Sequence, residues 1–306
     1  MFIERFIIKF LFTILLIITS GFCLATPDSS LLRKLDLQRG LFSDNYQTFE
    51  LGEQSTIYVL NENTNAITRG VAVLVADSGT PIVAHSGFAN LAEELNKIGW
   101  VTILLPAPAT ELMLDAAPNV SETENTSNDS DTEINTDANL RQSENSLFNL
   151  NDNKTAVSTI NDQAFVTHEQ QLVVLLNAVI EKSQEYPGFF LVISQGTSAA
   201  WLSKIYAENK LGTPDAFVAI SPYWPDRSRN QQLPEWLANT SMPVLDLHSQ
   251  ADNKWAQNTV SQREIAATKS LKLQYRQREL LGFNLYKQHN AYISKEIYGW
   301  LSYMGW

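Results

Sequence analysis

The chain has 306 residues, 44% of them hydrophobic, enough for one large domain or two small ones around a substantial core. Its formal net charge of −11 is not matched anywhere by a cluster of Lys and Arg, which removes the electrostatic reason for a nucleic-acid partner. The single cysteine, Cys23, lies in a leader-like segment, so the rest of the chain offers no disulfide, thiol nucleophile or cysteine metal site.

Met1–Ala25 is expected to be a signal peptide. Arg5 and Lys9 make a basic start, Phe10–Ile18 is apolar, and Cys23 and Ala25 put small residues at −3 and −1 of a cleavage point. The apolar run falls short of the ~20 residues that span a bilayer; an uncleaved N-terminal anchor stays as the alternative. Phe22, ahead of Cys23, is too bulky for lipoprotein processing. The expectation is a periplasmic or secreted protein with no integral membrane segment after cleavage.

Beyond the leader, residues 26–306 are expected to form a single domain. Ser29–Gly40 reads as an amphipathic lead-in, and Tyr46–Leu51 and Thr56–Leu60 as a β-hairpin across Gly52–Ser55. Val71–Ala76 is wholly apolar and of strand length, the mark of a strand buried on both faces. A loop at Asp77–Pro81 follows, then a helix with Ser86 as its cap and Phe88, Leu91, Ala92, Leu95 and Ile98 at helical spacing, closed by Gly99. Trp100–Leu105 is the next strand, stopped by Pro106 and Pro108.

From about 111 to 163 the periodicity collapses. Glu111–Asp162 holds eleven acidic residues against Arg141 and Lys154, set among Asn, Ser and Thr. Such a composition buries too little to offset its ordering entropy, so a disordered acidic insertion is expected. Its Asn-x-Ser/Thr triplets at Asn119, Asn125, Asn128 and Asn153 are what this composition yields by chance, and the acids form no D-x-D-x-D-G calcium loop.

Order resumes with a helix over Ala164–Lys182, apolar along Leu172, Val173, Leu176, Val179 and Ile180. Then come a strand at Phe189–Ile193, a turn at Ser194–Ser198 and a helix through Ala207. A strand at Ala216–Ile220, a short helix at Leu233–Asn239 bounded by Pro234, and a strand at Pro243–Leu247 follow. A helix at Trp255–Thr268, an alternating strand at Leu271–Glu279 and a final helix at Ala291–Tyr303 complete the chain. The final helix turns Ile293, Ile297, Trp300 and Leu301 inward. Strands and helices alternating in this way specify an α/β fold: a doubly wound, mostly parallel sheet with helices on both faces and the N-terminal hairpin as an antiparallel edge.

The strand, tight turn and helix of Phe189–Tyr206 has the layout of the nucleophile elbow of α/β-hydrolases, with Gly196 in the nucleophile's place. Pro243–Asp252, PVLDLHSQAD, resembles the P-V-L-x-x-H-G-x-x-D segment whose final Asp is often the triad acid, and Leu281–Asn284 matches the loop that normally carries the triad His. More closely, the pieces RGVAVLVADSGTP, GWVTILLPAPA, SQGTSAAW, PDAFVAISPYWP, MPVLDLHSQADN and YRQRELLGFN resemble a family of secreted bacterial proteins classed as a domain of unknown function with an α/β-hydrolase-like fold. The resemblance runs from about Arg69 to the C-terminus, omitting the insertion. It implies the fold and carries no activity with it.

Nucleophilic hydrolysis needs a Ser, Cys or Asp on the elbow, a base in reach and an orienting acid. Gly196 has no side chain to attack with. Ser194 and Ser198 flank it as the remaining candidate nucleophiles, against a reading as small packing residues with Ser198 or Thr197 capping the helix. Asp252 holds the acid position, or else opens a turn and caps the next helix. The base position reads Asn284, with His289 five residues later as the only substitute nearby. Asp246, His248 and Asp252 are close in sequence, but His85, His168 and His289 show no ligand spacing with them, so no metal is expected. No Gly-rich phosphate motif is present and no cofactor is expected.

In open α/β sheets ligands bind beyond the carboxyl ends of the strands. That places a pocket at Gly79, Thr80, Gly196, Thr197, Tyr223, Trp224 and Asp252. The Thr197 N–H would face an anion or carbonyl oxygen, and Tyr223 and Trp224 would serve either as walls or as core. The expectation is an exported α/β-hydrolase-like protein without a Ser-His-Asp triad, binding a small molecule, a cell-envelope fragment or a protein. The alternative is a hydrolase of an ester, amide or peptide with an atypical constellation that includes Asp252.

Overall fold

A computed structural model describes residues 46–51, 54–78, 80, 88–108, 161–281 and 287–306. Ser86, Gly79, Asn284, the leader and nearly all of the acidic insertion lie outside them. The strands are β1 (Gln47–Leu51), β2 (Gln54–Asn61), β3 (Gly70–Val75), β4 (Trp100–Leu105), β5 (Phe189–Gln195), β6 (Ala216–Ile220), β7 (Val244–Ser249) and β8 (Tyr275–Leu280). The helices are α1 (Ala89–Lys97), α2 (Asp162–Ser183), α3 (Gly196–Ala207), α4 (Arg227–Asn239), α5 (Lys254–Gln257), α6 (Val260–Lys269) and α7 (Lys287–Tyr303).

The strands make one sheet in the order β1-β2-β4-β3-β5-β6-β7-β8. Only the β1–β2 and β2–β4 pairings are antiparallel. The remaining pairings are parallel, and β3 and β5 match Val71 with Phe190 through Val75 with Ser194. The expected α/β architecture with its antiparallel N-terminal edge is therefore present.

The fully apolar strands are wholly apolar because the sheet is covered twice. Along β3, Val71, Val73 and Val75 enter one core with Leu172, Leu176, Trp201, Leu202 and Leu237 of α2, α3 and α4. Ala72 and Leu74 enter the other, with Leu91 and Leu95 of α1 and Ile293, Ile297, Trp300 and Leu301 of α7. The two-residue period of a strand separates these sets.

Several boundaries differ from the sequence reading, the start of α7 at Lys287 where Ala291 was expected among them, and four bear on the fold. Asp162 and Gln163, expected in the insertion, form the first turn of α2, because the Asn161 side chain accepts the Gln163 N–H as a cap. Helix α4 begins at Arg227, not Leu233, capped by Asp226 through the Arg229 N–H. Pro234 sits inside it, leaving the Asn230 carbonyl without its intrahelical donor. The helix expected over Trp255–Thr268 is split into α5 and α6. Most clearly, Leu271–Gln274 is not strand: Leu271 takes φ +52, and the N–H groups of Leu271 and Lys272 bond back to Thr268 and Ala267 to end α6. The apparent alternation of Leu271 and Leu273 is exposed surface, at 80% and 93% accessibility.

Candidate functional site

The site follows from the register of two neighbouring strands. Val75 of β3 is paired with Ser194 of β5, so two residues further on Asp77 stands beside Gly196. There β5 ends at Gln195 in extended conformation, Gly196 takes φ +60, and α3 starts. This is the strand-turn-helix geometry of a nucleophile elbow. Above it lies a carboxylate. A Cβ on Gly196 would fall 2.3 Å from Asp77 Oδ2, 2.4 Å from its Cγ and 2.6 Å from Oδ1. The space in which a nucleophile's side chain would begin is taken by Asp77.

Asp77 is held there by donors from Thr197 and Tyr223 and by the backbone N–H of Ser78. Its Oδ1 accepts the Thr197 N–H at 2.8 Å and the Thr197 hydroxyl at 2.6 Å, and its Oδ2 accepts the Tyr223 hydroxyl at 3.5 Å. Burial pushes the Asp77 carboxyl above the usual range, against the bonds from Thr197, Ser78 and Tyr223, which favour the anion. Burial and the neighbouring Asp77 charge raise the Tyr223 phenol as well, so Tyr223 stays a hydrogen-bond donor. Tyr223 is fixed by its own N–H to the Gly196 carbonyl at 3.3 Å. Thr80, half-buried, closes the turn after β3 with its N–H on the Asp77 carbonyl at 3.0 Å.

Ser194 and Ser198 are fully buried, and both hydroxyls donate to the end of β3: Ser194 to the Val75 carbonyl at 3.3 Å and Ser198 to the Ala76 carbonyl at 2.7 Å. They staple the elbow to the strand that delivers Asp77. Trp224 has no exposed surface. It lies in the aromatic core under α2, α3 and α4, edge-on to Trp201 at 5.9 Å and to Trp236 at 4.8 Å. Of the two aromatics considered as walls, Tyr223 reaches the elbow and Trp224 is core.

Asp252, expected from the sequence at the acid position, lies beyond β7. Its Oδ2 accepts the Ser221 hydroxyl and the Ser249 N–H, both at 2.7 Å. Burial raises its carboxyl, with those two bonds acting the other way. The cap of α5 is Asn253, through the Ala256 N–H, and not Asp252. Ser221, which ends β6, adopts φ +48, a left-handed conformation uncommon outside glycine. His289 is half-buried at the start of α7, its Nδ1 enclosed and without a hydrogen-bond partner among the described residues.

Asp246 belongs to a different unit. It is fully buried and accepts from Arg263 Nε at 2.7 Å and Nη2 at 3.2 Å, from the Tyr275 hydroxyl at 2.6 Å and from Gln277 at 2.9 Å. Although burial alone would raise it, the Arg263 guanidinium holds its carboxyl below the ordinary range. Among the described residues no group of three or more His, Cys, Asp or Glu is placed to hold a metal ion. No helix among them is long and apolar enough to cross a membrane. A hollow of about 970 Å³ lies elsewhere, on the outer surface of α2, α3 and α4, floored by Phe165, Val173 and Trp236. Its Lys204 and Lys210 are both paired with Glu169 and Glu208, and it shares no residue with the elbow.

Two site residues, Asp77 and Ser221, were not singled out from the sequence. Asp77 could have been: it is the first ionisable residue after the apolar run of β3, the strand that neighbours the elbow strand in this fold. Nothing local marks Ser221, whose role rests on its backbone angle and its contact with Asp252.

A family model described as protein of unknown function (DUF3530) matches residues 18–303. No curated protein matches the sequence significantly. Solved structures share the fold at low identity. Est1E from Butyrivibrio proteoclasticus is 9% identical with a TM-score of 0.52, covering 84% of this chain and 97% of its own. The esterase domain of a Rhodothermus marinus protein is 9% identical at 0.50, covering 83% and 96%. A dienelactone hydrolase from Anabaena variabilis is 13% identical at 0.50, covering 85% and 98%. These likenesses establish the α/β-hydrolase fold.

Proposed function

We propose that this chain, which belongs to the DUF3530 family of proteins of unknown function, is a non-catalytic member of the α/β-hydrolase fold. It acts by binding a small molecule, a cell-envelope fragment or a protein at the carboxyl ends of its strands. The reading includes export to the periplasm or beyond. One observation carries it: the Asp77 carboxylate fills the volume above Gly196 and takes the Thr197 N–H. In an acyl-transfer enzyme of this fold, the nucleophile would start in that volume and that N–H would serve the oxyanion. A carboxylate there opposes both requirements, because it blocks attack and repels the developing negative charge. Loss of the nucleophile alone costs several orders of magnitude in rate.

A second reading, a hydrolase of an ester, amide or peptide with an atypical constellation, draws on Asp252, which keeps the acid position with the Ser221 hydroxyl against it. The two separate in one assay. The full chain, incubated with short p-nitrophenyl esters and a fluorophosphonate probe, is expected to show neither turnover nor labelling. Labelling that Ser194→Ala, Ser198→Ala or Ser221→Ala removes would overturn the first reading in favour of the second.

A further inference from the structure

We propose that the amino ends of β3, β4 and β5 carry a second binding site, a slot for a small aromatic carboxylate. The elbow lies at the other end of these strands, about 20 Å away at 3.3 Å per residue. The inference therefore goes beyond the reading of the elbow and does not depend on it. The strand register builds the slot, because Gly70 is paired with Trp100 on one side and Phe189 on the other. A cavity of about 180 Å³ opens there, lined by Arg69, Trp100 and Phe189 with Tyr298, Leu301 and Trp306 from α7 and the residues after it. Phe189 and Trp306 stack with ring centroids 4.7 Å apart and planes 9° from parallel. A cavity of this size holds one ring, since an apolar one of about 150 Å³ takes up benzene.

Arg69 distinguishes the slot from a packing gap. Its N–H donates to the Gly99 carbonyl at 2.8 Å, and its own carbonyl accepts the Phe189 N–H at 2.9 Å. Its Nε donates to the Ile98 carbonyl at 2.8 Å, and the guanidinium lies over the Tyr298 ring, 4.9 Å from the centroid. Gly99 permits this path: a Cβ there would fall 3.3 Å from Arg69 Cγ and 2.4 Å from the Ile67 carbonyl oxygen. Among the described residues Arg69 has no carboxylate partner, in contrast to Arg229, Arg263 and Arg278. Its two terminal nitrogens thus form a fork fixed in place beside aromatic walls, the geometry that takes a carboxylate bidentately. Trp100, almost wholly buried in the wall, adds an indole N–H with no acceptor among the described residues. A cationic ring would be repelled by Arg69, and an uncharged one would leave the fork without its acceptor. One ring bearing one carboxylate satisfies both the cavity and the cation. A donor fixed before binding also loses little side-chain freedom on binding.

The probe is benzoate, titrated into the full unaltered chain and followed by calorimetry and ligand-observed NMR. Benzamide, which lacks the charge, and acetate, which lacks the ring, are the controls at equal ionic strength. The unaltered chain is expected to bind benzoate saturably, about tenfold tighter than either control. Arg69→Met is expected to abolish the preference for benzoate over benzamide. Trp306→Ala, which removes one wall and leaves Arg69 in place, is expected to weaken benzoate and benzamide alike. The proposal is overturned if benzoate shows no saturable binding to the unaltered chain below about 10 mM. It is equally overturned if benzamide or acetate binds as tightly as benzoate, or if folded Arg69→Met keeps the affinity of the unaltered chain. Should Arg69→Met not fold, Trp306→Ala decides, and an unchanged benzoate affinity in it overturns the proposal. Fluorophosphonate labelling of the unaltered chain would sink the non-catalytic reading of the elbow without touching these outcomes.

Discussion

Replacing Gly196 by alanine sets a Cβ 2.3 Å from Asp77 Oδ2 on a backbone at φ +60. Two penalties follow. The left-handed conformation costs an L-residue about 1–2 kcal/mol, and overfilling a packed site costs about 1–3 kcal/mol more. Only the first is independent of Asp77. Gly196→Ala is therefore expected to destabilise the protein by about 2–5 kcal/mol, and by clearly less when Asp77→Ala is already present. Urea unfolding of the four members of the double-mutant cycle measures the difference. Equal costs in both backgrounds would mean that the carboxylate does not fill the site. At this scale the sequence was half legible. That position 196 lacks a nucleophilic side chain can be read directly, and so can the place of Asp252 just after β7. What replaces the nucleophile cannot be read from spacing, because Asp77 and Gly196 meet only through the β3–β5 register.

Among the elements, β7, α6 and β8 are tied together by the buried Asp246–Arg263 pair, with Tyr275 and Gln277 completing the shell around the carboxylate. The Arg263 guanidinium also reaches the Thr259 hydroxyl and the Ala256 carbonyl, which joins the end of α5 to the start of α6. Truncating one partner strands a buried charge, which costs about 3–5 kcal/mol. Arg263→Met is expected to lose that much. Asp246→Leu/Arg263→Met, which removes both charges, is expected to lose considerably less. Chemical denaturation of both variants checks this, and a double variant no more stable than the single one would refute it. This pair also shows where element-level reading stops. The apolar runs of β3, β4, β5 and β6 announced buried parallel strands. In contrast, β8 reads Tyr-Arg-Gln-Arg-Glu-Leu, with a polar face committed to Asp246, and its apparent start at Leu271 was a helix terminus. A strand whose inward side chains serve an ion pair carries no hydrophobic signature.

For the whole molecule, burial on both faces of the sheet makes pH a probe of how the layers pack. His168 of α2 lies under α3, its ring 4.1 Å from that of Trp201, and burial lowers its pKa to about 3 from an ordinary 6.5. A base with a lowered folded pKa binds fewer protons folded than unfolded between those two values. Its contribution is therefore complete above pH 6.5 and is lost as pH falls towards about 3. The full loss is at most about 5 kcal/mol, from 1.36 kcal/mol per pKa unit. Asp77 and Asp252, raised by burial, act in the opposite sense: they relieve the folded state as acid protonates them. The acid limb of the stability profile is thus a contest between a histidine that must not charge and carboxyls that gain by discharging. His168→Phe keeps an aromatic ring against Trp201 and removes one contestant. Between pH 6.5 and 4 its melting temperature is expected to fall much less than that of the unaltered chain. Coincident profiles would show that α2 separates from α3, or admits water to His168, before the ring takes up its proton.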